Sequence, residues 1–173
     1  MKEMFQQLAR YNCWANGRLF QAAFEIPDQE YRRDIGAFFK SLHGTLNHLL
    51  VTDRIWLKRL TGQGEHPERL NAIIHEDKRL LALDRAEQDE RIIKTIDDIG
   101  PEAFDATVKY ANSSGHTFEQ RRSDVLMHVF NHQTHHRGQA HCILSICTGV
   151  EPPSLDLLAM QRGIASPDVR KLS

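Results

Sequence analysis

An all-α fold, a four-helix bundle with a short β-hairpin-like or extended insertion between its third and fourth helices, is what this sequence predicts. Three observations carry that reading. Apolar residues recur at steps of three and four in four long segments, those segments stop at proline or glycine, and residues 104 to 120 alone break the period. At 173 residues the chain is expected to form one domain over 1–173, because a single core of this size supports itself.

The first helix is expected from Lys2 to about Phe24, where Phe5, Leu8, Tyr11, Leu19 and Ala22 keep a helical spacing until Pro27 stops it. The second runs from about Gly36 to Leu60 and ends at "TGQG", whose glycines suit a left-handed cap. A short helix is expected within "HPERLNAIIHEDKRL". The third helix is placed from about Asp84 to Ile99, with acidic residues in its first turns and Gly100-Pro101 after its end. Residues 104 to 120 alternate β-branched and aromatic residues on either side of "NSSG", as a hairpin does. The fourth helix is expected to start at Ser123 as its N-cap, with Asp124 in the first turn, and to end at Gly149 before Pro152-Pro153.

Composition narrows the function. A formal net charge of -1 leaves no basic field for nucleic acid. No apolar run approaches the ~18–20 residues that span a bilayer, and no signal-peptide core is visible near the N-terminus, so a cytoplasmic protein without membrane partners is expected. Cys13, Cys142 and Cys147 lack CxxC spacing, so they are expected to pack rather than to form disulfides or a thiolate site.

Chemistry concentrates in "HVFNHQTHHRGQAH", residues 128 to 141, which holds five of the ten histidines. At ~100° per residue, Val125, Val129, His132, His136, Ala140, Ile143 and Cys147 share one stripe. His128 and His135 flank that stripe, and His141 faces the other way. Residues four apart on a helix stand ~5–6 Å apart at Cβ, so His132 and His136 form a candidate chelating pair. A third ligand would come from another helix. On the second helix His43 and His48 lie on opposite flanks of the apolar side, and the wheel does not choose between them. Asp53 falls inside that apolar side and needs a partner, either an imidazole N–H that it orients or an arginine, Arg137 or Arg18. It is also the one carboxylate available as a candidate catalytic acid or base. Tyr11, Trp14 and Trp56 are either pocket aromatics or ordinary core residues.

Other chemistries are absent from the sequence. No histidine has a glutamate three residues before it, which removes the ferritin-like di-iron pattern. HExxH, a glycine-rich phosphate loop and GxSxG are missing as well.

Taken together, "YNCWANGRLF", "HLLVTDRIWLKRLTG", "YANSSG", "HVFNHQTHHRGQAH" and "GVEPPSLDLL" resemble the DinB family of four-helix-bundle metalloenzymes across nearly the whole chain. The resemblance implies a divalent metal, zinc or nickel with iron or copper as further candidates, bound by His48, His132 and His136. It also implies homodimers and a stress-response setting, since the family name records induction by DNA damage. Characterised relatives include mycothiol-dependent maleylpyruvate isomerase and bacillithiol transferases. A metal-dependent thiol transferase acting with a low-molecular-weight thiol on a small-molecule substrate is therefore the expected function. A metal-dependent hydrolase and a non-catalytic, metal-stabilised helical dimer are the alternatives.

Overall fold

The computed structural model describes residues 1–112 and 114–172. Its long helices are α1 (Lys2–Glu25), α3 (Leu42–Thr61), α4 (Lys78–Asp98) and α5 (Arg122–Thr148), with short α2 (Asp28–Arg32) and α6 (Leu157–Gln161) between and after them. α1 packs on α4 and α5, and α3 packs on the same two, which closes a four-helix bundle. Strands β1 (Thr107–Ala111) and β2 (Thr117–Arg121) form an antiparallel hairpin with Thr107 opposite Arg121 and Ala111 opposite Thr117. Ser113 of the expected "NSSG" turn lies outside the described residues. No helix among the described residues is long and apolar enough to cross a membrane.

Caps explain where the elements end and where the sequence reading misplaced them. Gly62 and Gly149 take left-handed φ values of 75° and 69° after α3 and α5, the role expected of both. α3 starts six residues later than expected, at Leu42, because the Ser41 hydroxyl accepts from the Gly44 N–H at 3.1 Å. The preceding residues instead form a tight loop, closed by Ile35 N–H donating to Lys40 O at 2.9 Å, with Lys40 itself at φ 67°. α4 starts six residues earlier than expected, at Lys78, where the Asp77 carboxylate accepts from the Leu80 N–H at 2.8 Å. No helix forms between Gly62 and Asp77, contrary to the expectation for "HPERLNAIIHEDKRL". α5 is capped at Arg121 rather than Ser123, which sits buried in its first turn. Cys13 and Cys147 are half-buried, whereas Cys142 is exposed on α5 and packs against nothing in the core.

Two apolar clusters fill the bundle. One gathers Leu19, Phe20, Leu42, Leu46, Leu81 and Ile143, and the other Phe5, Leu57, Ile92, Phe104 and Phe130. Within the same bundle lies a buried polar layer. Arg85 meets Asp53 at 2.7 Å and Asp89 at 2.9 Å. Asn12 and Asn16 donate to Asp89 at 3.1 and 3.0 Å, and Arg137 donates to Asn12. Four helices thus lock one another through paired charges and amides.

Candidate metal centre

His48, on α3, and His132 and His136, one turn apart on α5, converge so that one donor nitrogen from each lies within 4.8 Å of the others. Among the described residues no further His, Cys, Asp or Glu joins them at that distance. His48 is buried, while His132 and His136 are half-buried on the outer edge of the α3–α5 seam. Ring centroids stand 4.3 Å apart for His132 and His136, 4.4 Å for His48 and His136, and 5.3 Å for His48 and His132.

Tautomers follow from the partners. His48 Nδ1 faces Leu70 O at 2.7 Å, and a carbonyl only accepts, so Nδ1 carries the proton. His136 Nδ1 likewise faces Gln139 Oε1 at 2.6 Å. Both Nε2 atoms are left as bare lone pairs, 3.2 Å apart. Nitrogens bound at ~2.0–2.1 Å to one tetrahedral ion would stand ~3.3–3.4 Å apart, close to what is seen. The donor set therefore fits a divalent cation.

Electrostatics favours the same state. Burial pushes the His48 pKa down to about 4, with the neighbouring His136 adding to that and the Leu70 carbonyl opposing it. Burial and the surrounding imidazoles take His132 down to about 3, and burial lowers His136. All three are neutral, metal-ready bases at neutral pH.

The loop before α3 sets one wall. Phe39 stacks on His48, with centroids 3.8 Å apart and planes 20° from parallel, and presents an edge to His136 at 5.5 Å. Gly44 makes this approach possible, since a Cβ there would sit 2.1 Å from Phe39 O. Phe39, the Leu70 carbonyl and Gln139 all escaped the sequence reading. Gln139 had a usable signal, its position three residues after His136, where a helix brings side chains together.

His43 lies elsewhere: its Nε2 faces His75 O at 3.0 Å and its ring packs on Tyr31. Asp53 hydrogen-bonds to no imidazole among the described residues. It pairs with Arg85 and accepts from Gln133, so neither Arg137 nor Arg18 is its partner, and burial pushes its carboxyl up against the pull of Arg85. Arg18 instead donates to Ser154 O and Ala165 O. Of the flanking histidines, His128 packs against Trp56 at 4.8 Å and His135 touches His136 at 4.7 Å. His141 faces Pro153 O at 3.2 Å. Tyr11 and Trp14 donate to Leu155 O and Ile164 O, each at 2.7 Å, and so tie down the C-terminal segment rather than meeting the histidines.

A model of the DinB family matches residues 1–167. Protein DinB of Bacillus subtilis strain 168 is 26% identical over 150 residues, which cover 83% of this chain and 86% of that relative.

Proposed function

The chain belongs to the DinB family, and on that premise we propose that it binds a divalent metal at His48, His132 and His136 and acts as a metal-dependent thiol transferase with a low-molecular-weight thiol. The observation that carries the metal reading is the apposition of two bare Nε2 atoms at 3.2 Å. Both rings have already committed their Nδ1 protons, to Leu70 and Gln139. A cation between the nitrogens relieves a repulsion that no described donor relieves. His132 adds the third nitrogen. Imidazole donors suit zinc or nickel, with iron and copper also within their range.

The chain's own residues prepare the site. Leu70 O and Phe39 hold His48, and Gln139 holds His136, so the ligand rings are oriented in advance. Their lowered pKa values keep protons from competing for the lone pairs. Three protein ligands are fewer than a closed structural site supplies, which supports a reactive rather than a structural centre. Held by His48, His132 and His136, a divalent ion would supply Lewis acidity for lowering the pKa of a thiol or water.

Thiol transfer, in preference to hydrolysis, draws its support from the thiol-dependent relatives that the sequence resembles. Assembly as a homodimer and a cytoplasmic, stress-related setting belong to the same proposal. Elemental analysis of the isolated protein, followed by assays pairing several low-molecular-weight thiols with small electrophiles, tests it. Metal-dependent consumption of thiol and electrophile together is expected. Metal-dependent turnover of esters or amides without thiol would replace the transferase by a hydrolase, and a loaded protein inert in both assays would favour a structural metal.

A further inference from the structure

Eleven residues beyond His48 on the same helix stands Arg59, about 16 Å further along the axis at ~1.5 Å per residue and within ~20° of the same face. Its guanidinium lies over the ring of Trp56 at 4.5 Å and over that of Tyr110 at 5.2 Å, so α3 and β1 together hold its position. Among the described residues no carboxylate pairs with it and no acceptor takes its N–H groups. Carboxylates on the neighbouring elements are paired with other cations: Glu119 with Lys109 at 2.6 Å, Asp124 with Arg121 at 3.3 Å, and Asp84 with Arg54. The side chain is half-buried, and burial lowers its pKa while its forked donors take no partner from the described residues.

The position joins Arg59 to the metal centre. Trp56 contacts His128 at 4.8 Å, and His128 contacts His132 at 5.8 Å, so a continuous aromatic strip runs from the guanidinium to the histidine cluster.

We propose that Arg59 is an oxyanion-recognition residue, which binds the carboxylate or phosphate group of a small organic anion whose body lies along Trp56 and His128 and whose far end reaches the His48, His132 and His136 cluster. A planar guanidinium held by two aromatic rings offers a carboxylate or phosphate two parallel donors without further ordering of its side chain. That the bound anion is a substrate rests on the reading of the histidines as a reactive centre; the binding itself does not.

The two tryptophans give an internal control, because Trp14 donates its indole N–H to Ile164 O far from this strip. Titrating the ¹⁵N-labelled protein with succinate, and separately with inorganic phosphate, should shift the Trp56 indole signal saturably, with a dissociation constant on the order of 1 mM. The Trp14 signal should hold still. Sodium chloride at matched ionic strength should move neither. Arg59→Gln should weaken binding by about tenfold or more, Arg59→Lys should retain part of it, and metal content should stay at the wild-type level in both. Saturation by only one of the two anions would assign the head group. A Trp56 signal that does not move in the wild type, that follows chloride equally, or that saturates unchanged in Arg59→Gln would overturn the proposal. None of these readouts requires turnover, so they stand apart from the fate of the thiol-transferase reading.

Discussion

Two polar clusters sit side by side on α3 and α5, and they are built in opposite ways. Asp53 and Gln133 belong to the buried layer in which every charge meets an opposite charge or an amide of the protein: Asp53 and Asp89 on Arg85, and Asn12 between Asp89 and Arg137. His48 and His132, the second next to Gln133 in sequence, belong to a cluster whose donor atoms face one another without a donor between them. The first has its carboxylates paired within the chain, although Asn16 Oδ1 and the Nε atoms of Arg85 and Arg137 find no partner among the described residues. The second leaves its ligand nitrogens converging with room for an ion. Burial of polar atoms alone therefore says little about function; what separates the two is whether opposite charges meet, as on Arg85, or like lone pairs do, as between His48 and His136.

The contrast can be broken from either side, and the largest effect should come from the closed layer. Arg85→Ala strands Asp53 and Asp89 without their shared cation, and a loss of about 3–5 kcal/mol in urea unfolding is expected. Metal uptake by the folded fraction should be unchanged. Near-wild-type stability would mean that the layer does not depend on its charges.

Next in size is the open cluster. His132→Ala or His136→Ala should leave the metal-free protein close to wild-type stability but abolish the gain on adding metal. That gain in the wild type should be about 2.7 kcal/mol at an ion concentration of about 100 times Kd. A thermal melt with and without zinc or nickel reads it.

A smaller loss is expected from Gln139→Ala, which frees His136 to turn without removing a ligand. Metal affinity should fall by about tenfold with the stoichiometry intact, as competition with a chelating dye would show.

The effect of pH is nil near neutrality and grows on acidification. Free His48 and His132 are held at about 4 and about 3, below the ordinary histidine value of 6.5. The unfolded chain therefore takes up protons first as pH falls below that value. The contribution of these rings to stability is fully present above pH 6.5 and is lost progressively as pH falls toward the folded values. The metal affinity of the folded protein should meanwhile fall at lower pH than that of a surface histidine pair, because burial lowers the pKa of all three rings. Titrations of metal against protein at stepped pH separate the two behaviours.

How much of this was legible in the sequence follows the same division. The four long helices and the glycine caps of α3 and α5 follow from local spacing, whereas α4 is capped at Ile99 rather than Gly100; the facing of His132 and His136 follows too, because four residues on one helix need no tertiary knowledge. The choice between His43 and His48 did not follow from spacing. It depends on the irregular connection from Gly62 to Asp77, which offers His75 O to one ring and Leu70 O to the other. Periodicity carries no information about a loop of that kind. The partner of Asp53 was hidden for a related reason. Placing the start of α4 at Asp84 put Arg85 and Asp89 in the first turns, where Asp89 read as one of the acidic residues that complement the helix dipole. With Asp77 as the cap they sit in the helix interior and face the core. Phe39 was out of reach because its contact depends on a loop crossing Gly44, an approach only a glycine permits.

Equilibrium dialysis against zinc or nickel with elemental analysis, run on the wild type and on the His132→Ala/His136→Ala double variant, tests the completion of the open cluster most directly. The wild type should retain about one divalent ion per chain and the folded double variant essentially none. A double variant that keeps the wild-type complement of metal would contradict the assignment.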